Sequence, residues 1–350
     1  MKTTGDRAAG IGLSVVVAIG LLAAPPATPR LRAAPSCQIS GVDRVVAVGD
    51  VHGAYDQFVA LLRVAHVIDS QDRWSGGKTH LVQLGDIVDR GPDSRKALDL
   101  VRRLEKDATR AGGAVHMLLG NHEVMRMLGD LRFVTPGEYA TFATQESPTV
   151  RERYLQALKL PASEDNLKAM PLGLVELRIA FGQQGPYGSW LRDLNAVLHI
   201  DGVVFVHGGL SPSVAAMSCE EINSTVRREL TKDLDKTRQA PLASLAARED
   251  GPLWYRGLAQ APDDAGAEIA DMLSKQHAQA LVVAHTVVTD GRIRARFGGT
   301  LWQIDTGMQP AYVIGGRASA LEIRHGVFTA IYEDREEVLR DVSAEVPGHQ

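Results

Sequence analysis

Val45-Val46-Ala47-Val48-Gly49-Asp50-Val51-His52-Gly53 is an unbroken apolar run that ends in a glycine-flanked Asp and His. A strand buried on both faces reads as such a run, without the alternation of a half-exposed strand. The pattern returns along the chain. Leu81-Val82-Gln83-Leu84 leads into Gly85-Asp86-Ile87-Val88-Asp89-Arg90-Gly91, and Val115-His116-Met117-Leu118-Leu119 into Gly120-Asn121-His122-Glu123. Val203-Val204-Phe205-Val206 leads into His207-Gly208-Gly209, and Leu281-Val282-Val283-Ala284 into His285-Thr286. In open α/β sheets ligands bind outside the carboxyl ends of the strands, so these separate polar residues are expected at one edge.

The stretches between the runs read as helices. Over 55–67, Phe58, Leu61, Leu62 and Ala65 share one face. Over 94–110, Leu98, Val101 and Leu104 do the same, with Ser94 as the expected cap. With strands at 44–48, 80–84 and 114–119, the order is βαβαβ, which implies a sheet covered on both faces. Residues 125–192 break this rhythm: Pro136, Pro148, Pro161, Pro171 and Pro186 punctuate short helical pieces, as in a helical insertion. Strands resume at 203–206, 281–284, 300–304, 320–324 and 327–332, the last two as a hairpin around His325-Gly326. Helices are expected at 220–234 and 265–278. The charged tail beyond Glu333 is expected to fray.

The 350 residues are 45% hydrophobic and 23% charged, enough for a sizeable core. A net charge of −4 gives no general pull towards nucleic acid. Any phosphate site must be built from local cations. Residues 1–36 stand apart: Lys2 and Arg7 precede an apolar stretch from Ile11 to Ala24, then prolines and small residues. This reads as a signal peptide and leader, with 37–350 as one exported domain, periplasmic or secreted and without a stable membrane span. The alternative is an uncleaved anchor, although the stretch is short for a bilayer. Cys37 and Cys219 are the cysteines. No Cys-x-x-Cys exists, and a disulfide is open to them in an oxidising compartment.

The polar residues at the strand ends suit a particular chemistry. Asp, Asn and His together favour Mn, Fe or Zn over a calcium or magnesium cage. There are enough donors for two ions, which a shared carboxylate holds about 3.5–4 Å apart. Arg90 and Arg256 offer planar forks that match phosphate oxygens.

In order, Gly-Asp-Val-His-Gly, Gly-Asp-Ile-Val-Asp-Arg-Gly, Gly-Asn-His-Glu and His-Gly-Gly-Leu-Ser-Pro resemble the motifs of the phosphoprotein phosphatase family of the calcineurin-like metallophosphoesterases. Asp250-Gly-Pro-Leu-Trp-Tyr-Arg-Gly257 and Ile304-Asp-Thr-Gly-Met308 look like the bacterial-type Shewanella-like branch. The resemblance implies an α/β sandwich of two mixed β-sheets flanked by helices. It implies hydrolysis of phosphomonoesters, on a phosphorylated protein or a small phosphoester, by a water held between two divalent ions. Asp50 and His52 would bind one ion, Asp86 both, and Asn121, His207 and His285 the other. His122 would be the general acid, oriented by Asp89. Arg90, Arg256 and Asn121 would hold the phosphate. The eukaryotic Ser-Ala-Pro-Asn-Tyr stretch is replaced here by Gln303-Ile-Asp-Thr-Gly-Met308, so that substrate loop does not transfer.

Plainer roles stand beside these. Asp50 and His52 can be turn residues, Asp86 and Asn121 caps, and Asp89 a partner of Arg90. Arg256 can be a structural ion pair with a nearby carboxylate. Glu123 is expected to support its motif, and Trp254 and Tyr255 to pack, with lining of the pocket as the alternative. The same motifs occur in dinucleoside tetraphosphate hydrolases, and a non-catalytic phosphoprotein-binding module would have lost a ligand or the acid. Neither the oligomeric state nor the choice between phosphotyrosine and phosphoserine or phosphothreonine is written in these residues.

Overall fold

The computed structural model describes residues 35–341, so all but the last two positions of the expected leader lie outside the described residues. In chain order the strands are β1 (Gln38–Ile39), β2 (Arg44–Val48), β3 (His80–Gln83), β4 (Ala114–Met117), β5 (Val197–Ile200), β6 (Val203–Val206), β7 (Ala280–Val283), β8 (Arg294–Arg296), β9 (Leu301–Gln303), β10 (Ser319–Arg324), β11 (Val327–Tyr332) and β12 (Glu336–Asp341). They form two six-stranded mixed sheets, ordered β12-β11-β10-β2-β3-β4 and β1-β5-β6-β7-β9-β8. In the first, β2, β3 and β4 are parallel while β10, β11 and β12 run antiparallel. In the second, β6, β7 and β9 are parallel.

The two-residue period of a strand explains the layers. Val45, Ala47, Val82 and Leu84 point into a core shared with Leu198, Ile200, Phe205, Val282 and Trp302 of the other sheet. Val46, Val48, Leu81 and Met117 point the other way, into the apolar layer that holds the helices α1 (Tyr55–Val64) and α2 (Ser94–Ala111). Both faces are thus buried, as the unbroken apolar runs require. Downstream come α3 (Asn121–Leu128), α4 (Pro136–Phe142), α5 (Ser147–Ala157), α6 (Glu164–Ala169), α7 (Leu174–Phe181), α8 (Gly188–Leu191), α9 (Pro212–Ala215), α10 (Cys219–Leu230), α11 (Leu234–Gln239) and α12 (Gly266–Lys275). Among the described residues, no helix is long and apolar enough to cross a membrane.

Several expectations need correction. Ser94 does not cap α2. It is the first helical residue, and its Oγ accepts the Asp89 N–H at 3.2 Å, fixing the preceding loop. The helix expected over 220–234 breaks after Leu230, where Thr231 leaves helical geometry (φ −122°, ψ −83°). The tail does not fray directly after Glu333: β12 pairs with β11 and closes the sheet with a charged edge. The strands β1, β5 and β8 were absent from the sequence reading. For β5 a signal existed, since Asp201-Gly202 between two apolar runs marks a tight hairpin, and both residues have positive φ (47° and 79°). Cys37 and Cys219 are joined in a disulfide that ties the segment before β1 to the first residue of α10.

Candidate metal centre

The carboxyl ends of β2, β3, β6 and β7 meet the start of α3 at a cavity of about 200 Å3, lined by Asp50, His52, Asp86, Asn121, His122 and His285 among others. Ligating atoms of His52, Asp86 and His122 lie within 4.8 Å of one another, and so do those of Asp86, His207 and His285. Asp86 belongs to both groups. The His52 Nε2 is 3.6 Å from Asp50 Oδ2, and the His207 Nε2 is 2.9 Å from Asn121 Oδ1 and 3.3 Å from Asp86 Oδ2. All of the expected ligands are therefore at one place.

Backbone contacts set which nitrogen of each imidazole faces inward. The Nδ1 of His52 lies 3.0 Å from the Val88 carbonyl, and that of His207 lies 2.8 Å from the Leu84 carbonyl. Each carbonyl takes the Nδ1–H and leaves Nε2 with a lone pair for a cation. Burial pushes the pKa of His52 down to about 4, despite the opposing charge of Asp86, and that of His285 to about 2. Both rings are neutral near pH 7, as ligation requires.

The ligand loops are strained. His52, Asp86, Asp89, Arg90 and His285 all have positive φ, between 49° and 72°, a conformation that only surrounding contacts sustain. Glu123 supplies many of these contacts. Its Oε2 accepts the N–H groups of Asp86 (2.8 Å) and Gly120 (2.9 Å), and its Oε1 those of Ile87 (2.9 Å) and Val88 (3.3 Å). It supports the motif, as expected. Gly120 is required because a Cβ there would strike the Asp86 carboxylate.

The second set of residues adjoins the first. His122 Nδ1 is 2.7 Å from Asp89 Oδ2. Burial pushes the His122 pKa down, but Asp86 and Asp89 outweigh it and raise the imidazole above its ordinary value. Asp89 does not pair with Arg90; its other oxygen meets Arg126. Arg90 instead stacks between two rings, with its Cζ 3.7 Å from the centre of Tyr312 and 4.7 Å from that of Phe133. Arg256 lies at the cavity mouth, where its Nη1 donates to the His285 carbonyl at 2.6 Å and to Thr286 Oγ1 at 3.1 Å. Trp254 lines the cavity too, edge-on to His285, the alternative of its two expected roles.

Asp305 was missed. It is 2% exposed, its Oδ2 has no hydrogen-bond partner, and it lines the same cavity. Burial, with the charge of Asp86, pushes its carboxyl up to about 6, while burial and Asp305 raise Asp50 in turn. The signal was present in the sequence, because Asp305 follows β9 as Asp50 follows β2. Phe133 and Tyr312 had no such signal; they come from loops whose path no motif specifies.

Crowded buried carboxylates, neutral imidazoles and the unpartnered Nε2 of His285 fit a pair of divalent cations. The profile of the calcineurin-like phosphoesterase family matches residues 43–289. An uncharacterized protein of Schizosaccharomyces pombe is 34% identical over 297 residues, covering 83% of this chain and 80% of its own length. Shewanella-like protein phosphatase 2 of Arabidopsis thaliana is 29% identical over 303 residues, covering 81% and 75%. A solved cold-active protein tyrosine phosphatase superposes with a TM-score of 0.71 at 26% identity, over 88% of this chain and 82% of that one.

Proposed function

The chain belongs to the calcineurin-like phosphoesterase family, and from that premise we propose that it removes phosphate from phosphorylated protein side chains, phosphotyrosine first among them. Relatives named as protein phosphatases, aligned over most of both chains, support this reading. Asp50, His52 and Asp86, with Asp305 beside them, would hold one ion. Asp86, Asn121, His207 and His285 would hold the other, with Mn, Fe or Zn matching the donors. Bound there, the two ions would neutralise phosphate charge and acidify a water for in-line attack.

The chain's own groups do the rest. Arg90, fixed between Tyr312 and Phe133, and Arg256, hydrogen-bonded beside His285, present guanidinium groups to the phosphate oxygens. Asn121 adds its amide. His122 gives a proton to the leaving oxygen, with Asp89 holding its Nδ1–H. The 2.7 Å Asp89–His122 contact against the two ligand groups is the observation that carries the reading. The disulfide agrees with export to an oxidising compartment.

The test is a substrate panel with added Mn: phosphotyrosine and phosphoserine peptides beside a dinucleoside tetraphosphate. Peptide turnover is expected, falling roughly 10²–10⁴-fold in His122→Asn, the range of a lost general acid. Turnover of the tetraphosphate alone would move the assignment to nucleotide hydrolysis.

A further inference from the structure

Arg126 stands one helical turn after His122 on α3, with its side chain fully buried. Its guanidinium joins two carboxylates. Nη2 meets Asp89 Oδ1, and Nη1 donates to Glu138 Oε1 at 2.9 Å. The second oxygen of Asp89 meets His122 Nδ1. A continuous buried line, Glu138–Arg126–Asp89–His122, thus runs from α4, within the helical stretch that follows the third motif, to the proton donor. We propose that Arg126 and Glu138 are positioning residues for the Asp89–His122 pair, and that α4 provides the outer anchor of the acid. This rests on the reading of His122 as general acid.

Three observations favour positioning over plain stabilisation. A buried ion triad is a poor stabiliser, because well-packed apolar residues of similar volume commonly serve as well or better. A guanidinium fork is planar and rigid, so holding Arg126 from both sides fixes the plane of the Asp89 carboxylate. Burial would push Asp89 up, but Arg126 and His122 outweigh it and keep the carboxyl below its ordinary range. The same segment also places the phosphate group's partner: the Phe133 carbonyl accepts the Arg90 N–H at 2.9 Å, and Thr135 caps α4. Ser94 Oγ completes the cradle by accepting the Asp89 N–H.

Leaving-group dependence separates positioning from structure. An alkyl phosphate such as phosphoserine peptide needs a proton on its departing oxygen, whereas p-nitrophenyl phosphate does not. Arg126→Lys keeps the charge but loses the fork. It is expected to lower kcat on the alkyl ester about 10²-fold and on the aryl ester less than about 3-fold, with KM unchanged. The double substitution Arg126→Leu with Glu138→Leu removes the line without leaving Glu138 unpaired, and should behave alike. Glu138→Gln, close in shape, should show the same selectivity at about 10-fold and carries the test should the others fold poorly. Equal losses on both esters, or none, in variants with wild-type circular dichroism would overturn the proposal. Failure of the underlying reading looks different: His122→Asn itself would then lower both esters equally, or neither.

Discussion

Asp305 and Asp50 are buried carboxyls, each pushed up by burial and by the charge of Asp86, and Asp305 raises Asp50 further. Without a cation this crowding opposes folding; with one it becomes binding energy. Asp305→Asn keeps the acceptor for the Gly307 N–H (3.0 Å) and removes a charge. The metal-free protein should then melt higher, while the Mn concentration needed for half-maximal activity rises about 10–100-fold. Calorimetry with a metal titration checks both, and an unchanged titration would remove Asp305 from the site. At this scale the sequence was most informative where chemistry and backbone coincide. Asp50, His52, Asp86, Asn121, His207 and His285 follow strands, and for all but His285 a neighbouring glycine marks the turn. Arg126, Phe133 and Tyr312 escaped because their roles depend on side-chain packing across elements distant in sequence.

Among the elements, the parallel pair β3–β4 carries His80 and His116 on one face, with His116 Nε2 3.1 Å from His80 Nδ1. Burial, reinforced by His80, lowers the pKa of His116 to about 4. The unfolded value is about 6.5, so between these limits the unfolded chain binds more protons and stability rises with pH. The contribution is complete above about pH 6.5 and lost on acidification towards pH 4, on the order of 2–3 kcal/mol. Melting temperature should fall across this window, and less steeply in His116→Gln. Parallel curves for the two proteins would contradict it. Element type was legible wherever the period was strong, as in α1, α2 and the continuous apolar strands. It was weak where tertiary pairing alone decides. The two-residue β1, the Arg-rich β8 and the charged β12 have no intrinsic strand pattern, and exist because a neighbouring edge is open to them.

For the whole molecule, the two-sheet sandwich brings motifs from opposite halves of the chain to one edge, and the Cys37–Cys219 disulfide closes a loop across 182 positions. Chain-entropy arguments give such a closure roughly 5 kcal/mol. Reduction, or Cys37→Ala with Cys219→Ala, should lower the melting temperature by several degrees, and an unchanged melt would show the bond to be dispensable. The central claim is that Asp86 is shared by two ion sites that act on a phosphoester. Its most direct test is phosphotyrosine-peptide turnover by the Mn-supplemented protein beside Asp86→Asn, with both folded. Turnover that chelation abolishes is expected in the wild type, with a loss of at least about 10³-fold in the variant. Equal activity in the two proteins, or none in the wild type with Mn, Fe or Zn, would contradict it.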